Sequence, residues 1–440
     1  MSIVLTNDSN YTAIASSIRS KLGVSTTYLP SEMSGAIDSI PTGGSVYSIT
    51  VTTSHCTAST SNPTSIGEGN IAELIFTPDA GYELTPPTIT GASLRKRSGD
   101  RIEIENPTGN VTINIEAVQP DYFWVENVGT SNAYMSSDKK EYMYSTDKLN
   151  WTTSTSPLSP GAKIYIKGNM GKTTKVAQIP LPIGSSYSFK IGGNALTLLD
   201  YSGILEDYDN ACYQMFRSCS SLVDASQLYI DKVGENMCEE MFADCSRLVT
   251  PPELPVTTLA ELCYHAMFYG CTSLTTAPQL PATTLANDCY ENMFNGCTSL
   301  TTAPSLPATT LASYCYGEMF AGCTSLTTAP SLPATTLYSY CYSTMFYNCT
   351  SLTTAPSLPA TTLASYCYYS MFYNCTSLKV YSTSGEGHDK AWNIPDDGVF
   401  TGLTLNQSNM FKNVETDNVP ADFNGTSGQQ FTYYTQNQPV

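Results

Sequence analysis

Met319-Phe320-Ala321-Gly322-Cys323-Thr324-Ser325-Leu326-Thr327-Thr328-Ala329-Pro330-Ser331-Leu332-Pro333-Ala334-Thr335-Thr336-Leu337 is followed by Tyr338-Ser339-Tyr340-Cys341-Tyr342, and the text restarts at Met345-Phe346. Phenylalanine recurs at Phe216, Phe242, Phe268, Phe294, Phe320, Phe346 and Phe372, in steps of 26 residues with no slip. Cys219 through Cys375 and Leu222 through Leu378 keep the same step. A fixed period between about 20 and 50 residues marks a solenoid. One unit cannot bury its own apolar face, so stacked units share a continuous core and touch only their neighbours.

Within a copy, Leu-Pro-Ala-Thr-Thr marks a change of structure. Proline forbids a helix through it, and the following threonine can cap one. From Leu363 the apolar positions run Leu363, Cys367, Met371, Cys375 and Leu378, in near-helical steps. The spacing predicts a short helix on one side of each coil. On the opposite side, Leu326-Thr327-Thr328-Ala329 and Ser377-Leu378 predict strands that stack into a parallel sheet, about 30 Å long for seven coils at about 4.8 Å. The Met-Phe-x-x-Cys-x-x-Leu motif closely resembles the 26-residue bacterial surface-protein repeat, a relative of the BspA-type leucine-rich repeats. That resemblance covers about two-fifths of the chain and implies a curved leucine-rich-repeat solenoid used in adhesion.

Composition narrows the function. The 440 residues carry a net charge of −18 with few charged residues, which argues against a phosphate-binding face for nucleic acid. The one basic cluster, Arg95, Lys96, Arg97 and Arg101, reads as a solvated turn. No apolar run is long enough to span a membrane, and Met1 to Asp8 read as neither the basic nor the apolar region of a signal peptide. Of fifteen cysteines, fourteen fall in the repeats as seven pairs, such as Cys212 with Cys219 and Cys263 with Cys271. On a helix such partners lie about 10–12 Å apart, too far for a disulfide. Bridges from coil to coil are sterically conceivable, but two ladders of buried, reduced thiols are the preferred reading. Metal is not expected, because the spacing is not that of a zinc site and the chain has three histidines. No cofactor is expected either.

The expected fold class is multidomain, mainly β plus an α/β solenoid. Residues 1–42 form a helical module: Tyr11, Ile14, Ile18 and Leu22 share one helical stripe, and Met33, Ala36, Ile37 and Ile40 a second. Two short helices cannot bury both stripes against each other. The module therefore packs on its own neighbouring domain or docks on another protein. Lys21-Leu22-Gly23, Thr27-Tyr28-Leu29-Pro30-Ser31-Glu32-Met33 and Ala36-Ile37-Asp38-Ser39-Ile40 resemble the N-terminal module of many tailed-phage virion proteins. The resemblance implies attachment to other virion proteins, of capsid or tail, through residues 1–42. Pro41 to Ser45 read as a linker.

Residues 46–118 alternate as strands at Tyr47, Ile49 and Val51, at Ile102 and Ile104, and from Val111 to Ala117. Gly81-Tyr82-x-Leu84 and Thr108-Gly109-Asn110-Val111-Thr112-Ile113 resemble the β-grasp-like domains related to internalin B-repeats, which implies a spacer without catalytic residues. Residues 119–203 predict a β cap for the first coil, with strands near Tyr142–Tyr144 and Ile164–Ile166, a hairpin turn at Asp147 to Trp151, and Trp124 and Trp151 as core residues rather than sugar platforms. The solenoid spans 204–380. Residues 381–440 form a C-terminal cap and tail, in which Trp392, Phe400 and Leu403 seal the last coil and Phe431 to Tyr434 make a strand or a contact segment.

No pair of groups is poised for catalysis, so no enzyme activity is expected: Glu206, Asp207 and Asp209, and Glu239 and Glu240, read as solvated faces, and His265 occurs in one copy only. The variable repeat positions are the candidate binding residues. Tyr314, Tyr340 and Tyr366 align at one position, with Tyr347 and Tyr373 at a second. They form an aromatic strip suited to a host-surface glycan or protein, or they pave the surface and extend packing between coils. The whole reads as a phage structural protein, localised to the virion and made in the host cytoplasm, that displays the solenoid for host adhesion. A homo-oligomer such as a trimer is compatible with this. The alternatives are a BspA-like adhesin of the bacterial cell surface and a purely structural capsid or tail decoration.

Overall fold

The computed structural model describes residues 45–394, apart from 80–81, 99, 119, 135–141, 155–156, 169–185, 203, 206, 382–383 and 387–389, together with 410 and 431–435. The expected helical module at 1–42 lies outside the described residues, as do Phe400 and Leu403. The chain divides into two compact units, 1–118 and 119–440.

In the first unit, strands β1 (Val46–Ser54), β3 (Ser65–Gly67), β5 (Glu83–Leu84), β6 (Thr88–Thr90) and β9 (Val111–Val118) form one sheet; β2 (Cys56–Ala58), β4 (Ala72–Pro78), β7 (Ser93–Ser98) and β8 (Arg101–Glu105) form a second. The first and last strands pair in parallel, Ile49 opposite Val111. Alternation along β9 turns Val111, Ile113, Ile115 and Ala117 inward, onto a core with Leu74, Phe76, Ile102 and Ile104. No helix of a β-grasp packs here among the described residues. The basic cluster is not a turn. Arg95 and Arg101 sit in paired strands, where Arg95 meets Glu103 and Glu105, and Arg101 meets Glu73 at 2.8 Å. Cross-strand acids neutralise Arg95 and Arg101, so these two belong to a structural charge ladder.

The second unit begins with a sheet of β10 (Phe123–Asn127), β11 (Tyr142–Ser145), β12 (Lys163–Gly168), β13 (Phe189–Asn194) and β14 (Leu222–Tyr229). β14 belongs to the first coil and pairs in parallel with β13, so the sheet covers the coil's open end by continuing its hydrogen bonding. Arg247 of the second coil reaches the Tyr187 carbonyl at 2.6 Å and Ser188 Oγ at 2.8 Å. Trp124 is buried and Trp151 half-buried. Residue 192 has to be glycine, because a Cβ would stand 2.2 Å from the Trp124 ring. Asp147 builds the hairpin turn by accepting from Leu149 N, Asn150 N and Asn150 Nδ2 at 2.7–2.8 Å. These bonds hold its carboxyl well below the usual carboxylate range.

The solenoid corrects the expected α/β coil. Its Cys–Met–Phe side is not a helix; among the described residues the one helical segment is a 3₁₀ turn at Ala195–Leu198. This side is a ribbon of four-residue turns. Positive φ recurs every fourth residue, at Leu262, Ala266 and Gly270 in one coil and at Tyr340, Thr344 and Asn348 in another. Backbone N–H groups alternate. Cys238, Glu240 and Phe242 donate to Cys263, His265 and Met267 of the next coil at 2.8–2.9 Å, while Glu239, Met241 and Ala243 donate three residues back at 3.0–3.2 Å. A four-residue period and a 3.6-residue period are indistinguishable over two turns, which is why the apolar spacing predicts a helix. The opposite side is not a continuous sheet either. Prolines such as Pro278 and Pro281 have no N–H to give, and the ladder shrinks to single parallel bridges, Thr276 to Thr302 and Thr284 to Thr310.

Inside, Phe216 through Phe372 stack from coil to coil with centroids 5.2–5.7 Å apart. Beside them Tyr264, Tyr290, Tyr316, Tyr342 and Tyr368 stack at 5.9–6.1 Å, fully buried. All fifteen cysteines are free, and fourteen are buried. In the second ladder each thiol donates to the phenylalanine carbonyl of the preceding coil, Cys245 to Phe216 at 3.0 Å and so on to Cys375 and Phe346 at 3.0 Å. The first ladder breaks register. Cys212 and Cys238 donate their backbone N–H to Met237 and Cys263, whereas from the third coil it is Tyr264 that donates to Cys289. Tyrosine thus occupies the old cysteine column, and cysteine moves one place back. Past the last coil, Phe372 N donates to Met410 O at 2.8 Å, and Met410 is buried in the same core. Trp392 lies in β16 (Lys390–Ile394), which pairs with β17 (Phe431–Thr435); β15 (Val380–Tyr381) lies on the other side of β17.

Phe294 stands mid-ladder between Phe268 and Phe320. Phe294→Ala is expected to cost about 3–5 kcal/mol by leaving a cavity that backbone-linked coils cannot close. Chemical denaturation followed by far-UV circular dichroism measures it, and a loss below about 1 kcal/mol would contradict a close-packed aromatic ladder.

Candidate functional site

The turn ribbon sorts residues in pairs. In the sixth coil Cys341-Tyr342 and Met345-Phe346 are buried, while Ser339-Tyr340 and Tyr347-Asn348 are partly exposed. The second member of each outward pair has positive φ. Every outward position therefore forms a column along the solenoid, one residue per coil.

The candidate tyrosines come together in two such columns. Tyr314, Tyr340 and Tyr366 stack with centroids 4.5 and 4.6 Å apart and ring planes within 10° of parallel. Tyr347 and Tyr373 stack at 5.1 Å, and Tyr369 packs edge-on against Tyr366. The first column shares the left-handed backbone of the whole ribbon. Tyr314, Tyr340 and Tyr366 have φ of 57–58°, at a position held by Asn210, Asn236, Leu262 and Asp288 in earlier coils. Asparagine and aspartate tolerate this region, whereas other non-glycine residues lose about 1–2 kcal/mol there. Ring stacking returns about 0.5–1.5 kcal/mol per pair. The two effects roughly cancel, so the stack offsets the strain that the ribbon imposes on any residue at this position.

The fully buried tyrosines were not distinguished from these in the sequence reading. The signal is constancy: Tyr264 through Tyr368 follow cysteine in each of the last five coils, while the outward tyrosines vary from coil to coil.

Toward the cap the same face turns acidic. His265 lies between coils, with Nδ1 3.4 Å from Glu239 and Nε2 3.5 Å from Glu291. Partial burial opposes its charge, but the carboxylates of Glu239 and Glu291 on either side prevail and push its pKa up to about 9. Burial, with Glu291 and Glu261 nearby, raises Asp288 from 3.8 to about 6. Burial and Glu291 also raise Glu318. Glu239 and Glu240 are therefore not simply solvated: Glu240 pairs with Arg217 and Gln214. Asp209 accepts Glu235 N at 2.8 Å. Glu206 lies outside the described residues.

Burial raises the thiol pKa values, Cys219 to about 11 and Cys263 to about 12, so these thiols are neutral packing groups at pH 7. Among the described residues no group of three or more His, Cys, Asp or Glu is placed to hold a metal ion, and no helix is long and apolar enough to cross a membrane.

Residues 210–329, 235–379 and 291–418 match the family described as BspA type Leucine rich repeat region, in six copies. The repeat region is thus of the BspA leucine-rich type, a class of repeat associated with surface adhesion and protein binding. No curated protein and no solved structure matches this chain.

Titration of this face has a definite sign. Asp288 has a folded pKa above its ordinary value, so the folded state holds its proton more tightly and stability falls as pH rises from about 3.8 to about 6. His265 is likewise raised, so its stabilisation is complete below about 6.5 and is lost as pH climbs through about 9. Stability measured by urea titration at successive pH values is expected to decline in both windows. Asp288→Asn should flatten the first and His265→Gln the second; an unchanged slope between pH 6.5 and 9 in the histidine variant would refute the Glu239–His265–Glu291 pairing.

Proposed function

We propose that this protein is a structural protein of a tailed-phage virion, attached through residues 1–42 and presenting its solenoid for adhesion to a host surface. The observation that carries the adhesive part is the tyrosine column at Tyr314, Tyr340 and Tyr366, stacked from coil to coil and partly exposed on the outward side of the ribbon. The BspA-type repeats support adhesion as the task. The virion part rests on the resemblance of Lys21 to Ile40 to the attachment modules of phage proteins. The partners under this reading are other virion proteins at one end and a host glycan or protein at the other, with no nucleic acid, no membrane insertion and no catalysis. Weak individual contacts suffice where many copies act together.

The repeat family itself favours a second reading, an adhesin of the bacterial cell surface. Removing residues 1–45 separates the two. The shortened chain is expected to fold, to keep its solenoid and to be missing from purified particles; normal incorporation would place the attachment elsewhere or end the virion reading.

The adhesive face has its own test. Tyr340→Ser with Tyr366→Ser should weaken attachment to host cells at least tenfold, equivalent to about 1.4 kcal/mol, with circular dichroism and particle assembly unchanged. Undiminished attachment by a folded double variant would favour a purely structural decoration. Loss of folding would show that these tyrosines serve packing.

A further inference from the structure

The tyrosine column is closed on itself. With centroids 4.5 and 4.6 Å apart and planes nearly parallel, Tyr340 covers one face of each neighbour and both of its own faces are covered. A sugar stacks on an aromatic face, and this column withholds most of its faces. What it offers outward is ring edges and hydroxyls. Tyr314 ends the column toward the cap, with Tyr340 as its one stacking partner, and it is 36% exposed. On its other side the column continues into Asp288, whose backbone N–H donates to Ser313 O at 3.0 Å. Asp288 and Glu291 both act electrostatically on the Tyr314 phenol.

We infer that this junction receives a lysine or arginine side chain from an extended basic segment of a partner protein, the cation lying over the open face of Tyr314 with Asp288 and Glu291 as its counter-charges. The inference rests on the adhesive reading of the tyrosine face and names its partner class. Three features fit a cation there. A ring face attracts positive charge, by about 0.5–2 kcal/mol as desolvation increases. The carboxylates crowd one another, since Glu291 and Glu261 act on Asp288 and Glu291 acts on Glu318. The histidine among them already lies between Glu239 and Glu291. Beyond Tyr314 the aliphatic stems of further basic side chains can lie along the tyrosine edges while their charged heads bond the hydroxyls. A neutral glycan gains nothing from the acidic half of this face.

The test uses the full chain and a fluorescent twelve-residue peptide of alternating arginine and serine, with an uncharged six-residue oligosaccharide as the competing probe. Asp288→Asn/Glu291→Gln/Glu318→Gln is expected to weaken peptide binding at least tenfold. Removing these mutually repelling charges should leave the fold intact by circular dichroism. Tyr314→Ser should weaken binding at least threefold with every carboxylate kept, and Tyr314→Phe should restore it. Glu68→Gln/Asp100→Asn/Glu116→Gln removes three exposed acids from the other unit and should change binding less than twofold. Equal weakening by the two triple variants would overturn the inference, because net charge alone would then explain binding. Oligosaccharide binding that Tyr314→Ser abolishes, with no peptide binding, would also overturn it and make the partner a glycan, leaving the adhesive reading standing. Undiminished cell attachment by the Tyr340/Tyr366 double variant would sink the adhesive reading without altering the peptide result.

Discussion

The solenoid depends on one alternation of the backbone. Along each turn ribbon, every second N–H points along the axis to a carbonyl of the next coil, and the N–H groups between point back three residues. Successive donors thus find partners in two directions, which matters because an unmet buried backbone group costs as much as a lost hydrogen bond. The alternation needs a left-handed residue at every fourth position, and that forces side chains into pairs, two in and two out. The 26-residue step cannot slip, since a shift of one residue would exchange inward and axial groups in every neighbouring coil.

That constraint explains where thiols are useful. The phenylalanine carbonyl facing the core already accepts a bond within its own coil, such as Cys219 N to Phe216 O at 3.1 Å, and has a second lone pair to fill. A cysteine from the next coil supplies the weak donor without adding a strongly polar atom to the core. The same logic accommodates the change of register in the third coil. Replacing cysteine by tyrosine in one column and moving cysteine into the adjacent column keeps both columns buried and adds an aromatic stack.

Much of this was legible beforehand. The period, the buried phenylalanines and the alternating strands of the first unit follow from apolar spacing alone. The secondary structure of the coil was not, because Leu363, Cys367, Met371 and Cys375 fit a helix as well as a four-residue turn. The distinguishing mark lies in the residues that face solvent: Ser218, Asp244, Gly270, Gly296, Gly322, Asn348 and Asn374 occupy one column with positive φ. A helix has no use for so many glycines and asparagines at one position, whereas a left-handed turn selects them. The tyrosine columns were legible as positions but not as geometry, since sequence alignment cannot say whether aligned rings expose faces or cover them. Met410 as a plug for the last coil left no periodic trace, because it sits outside the repeat.

The division between fixed and variable positions shapes what the outward face can do. From the third coil on, the inward columns of the ribbon repeat one residue type from coil to coil, so the frame presented at each outward position is the same. Outward columns are free to change: the column of Tyr314 runs from Asn210 and Asn236 through Leu262 and Asp288 to three tyrosines, and the neighbouring column from Glu239 through His265 and Glu291 to Gly317, Ser343 and Tyr369. Chemistry thus grades along the axis from charged to aromatic on an unchanging backbone. In a structure whose units touch only their neighbours, substitutions on one coil leave distant coils undisturbed. A surface of this kind can change its chemistry by altering a few outward residues, while the hydrogen bonding and the aromatic ladders that hold the coils in register stay as they are.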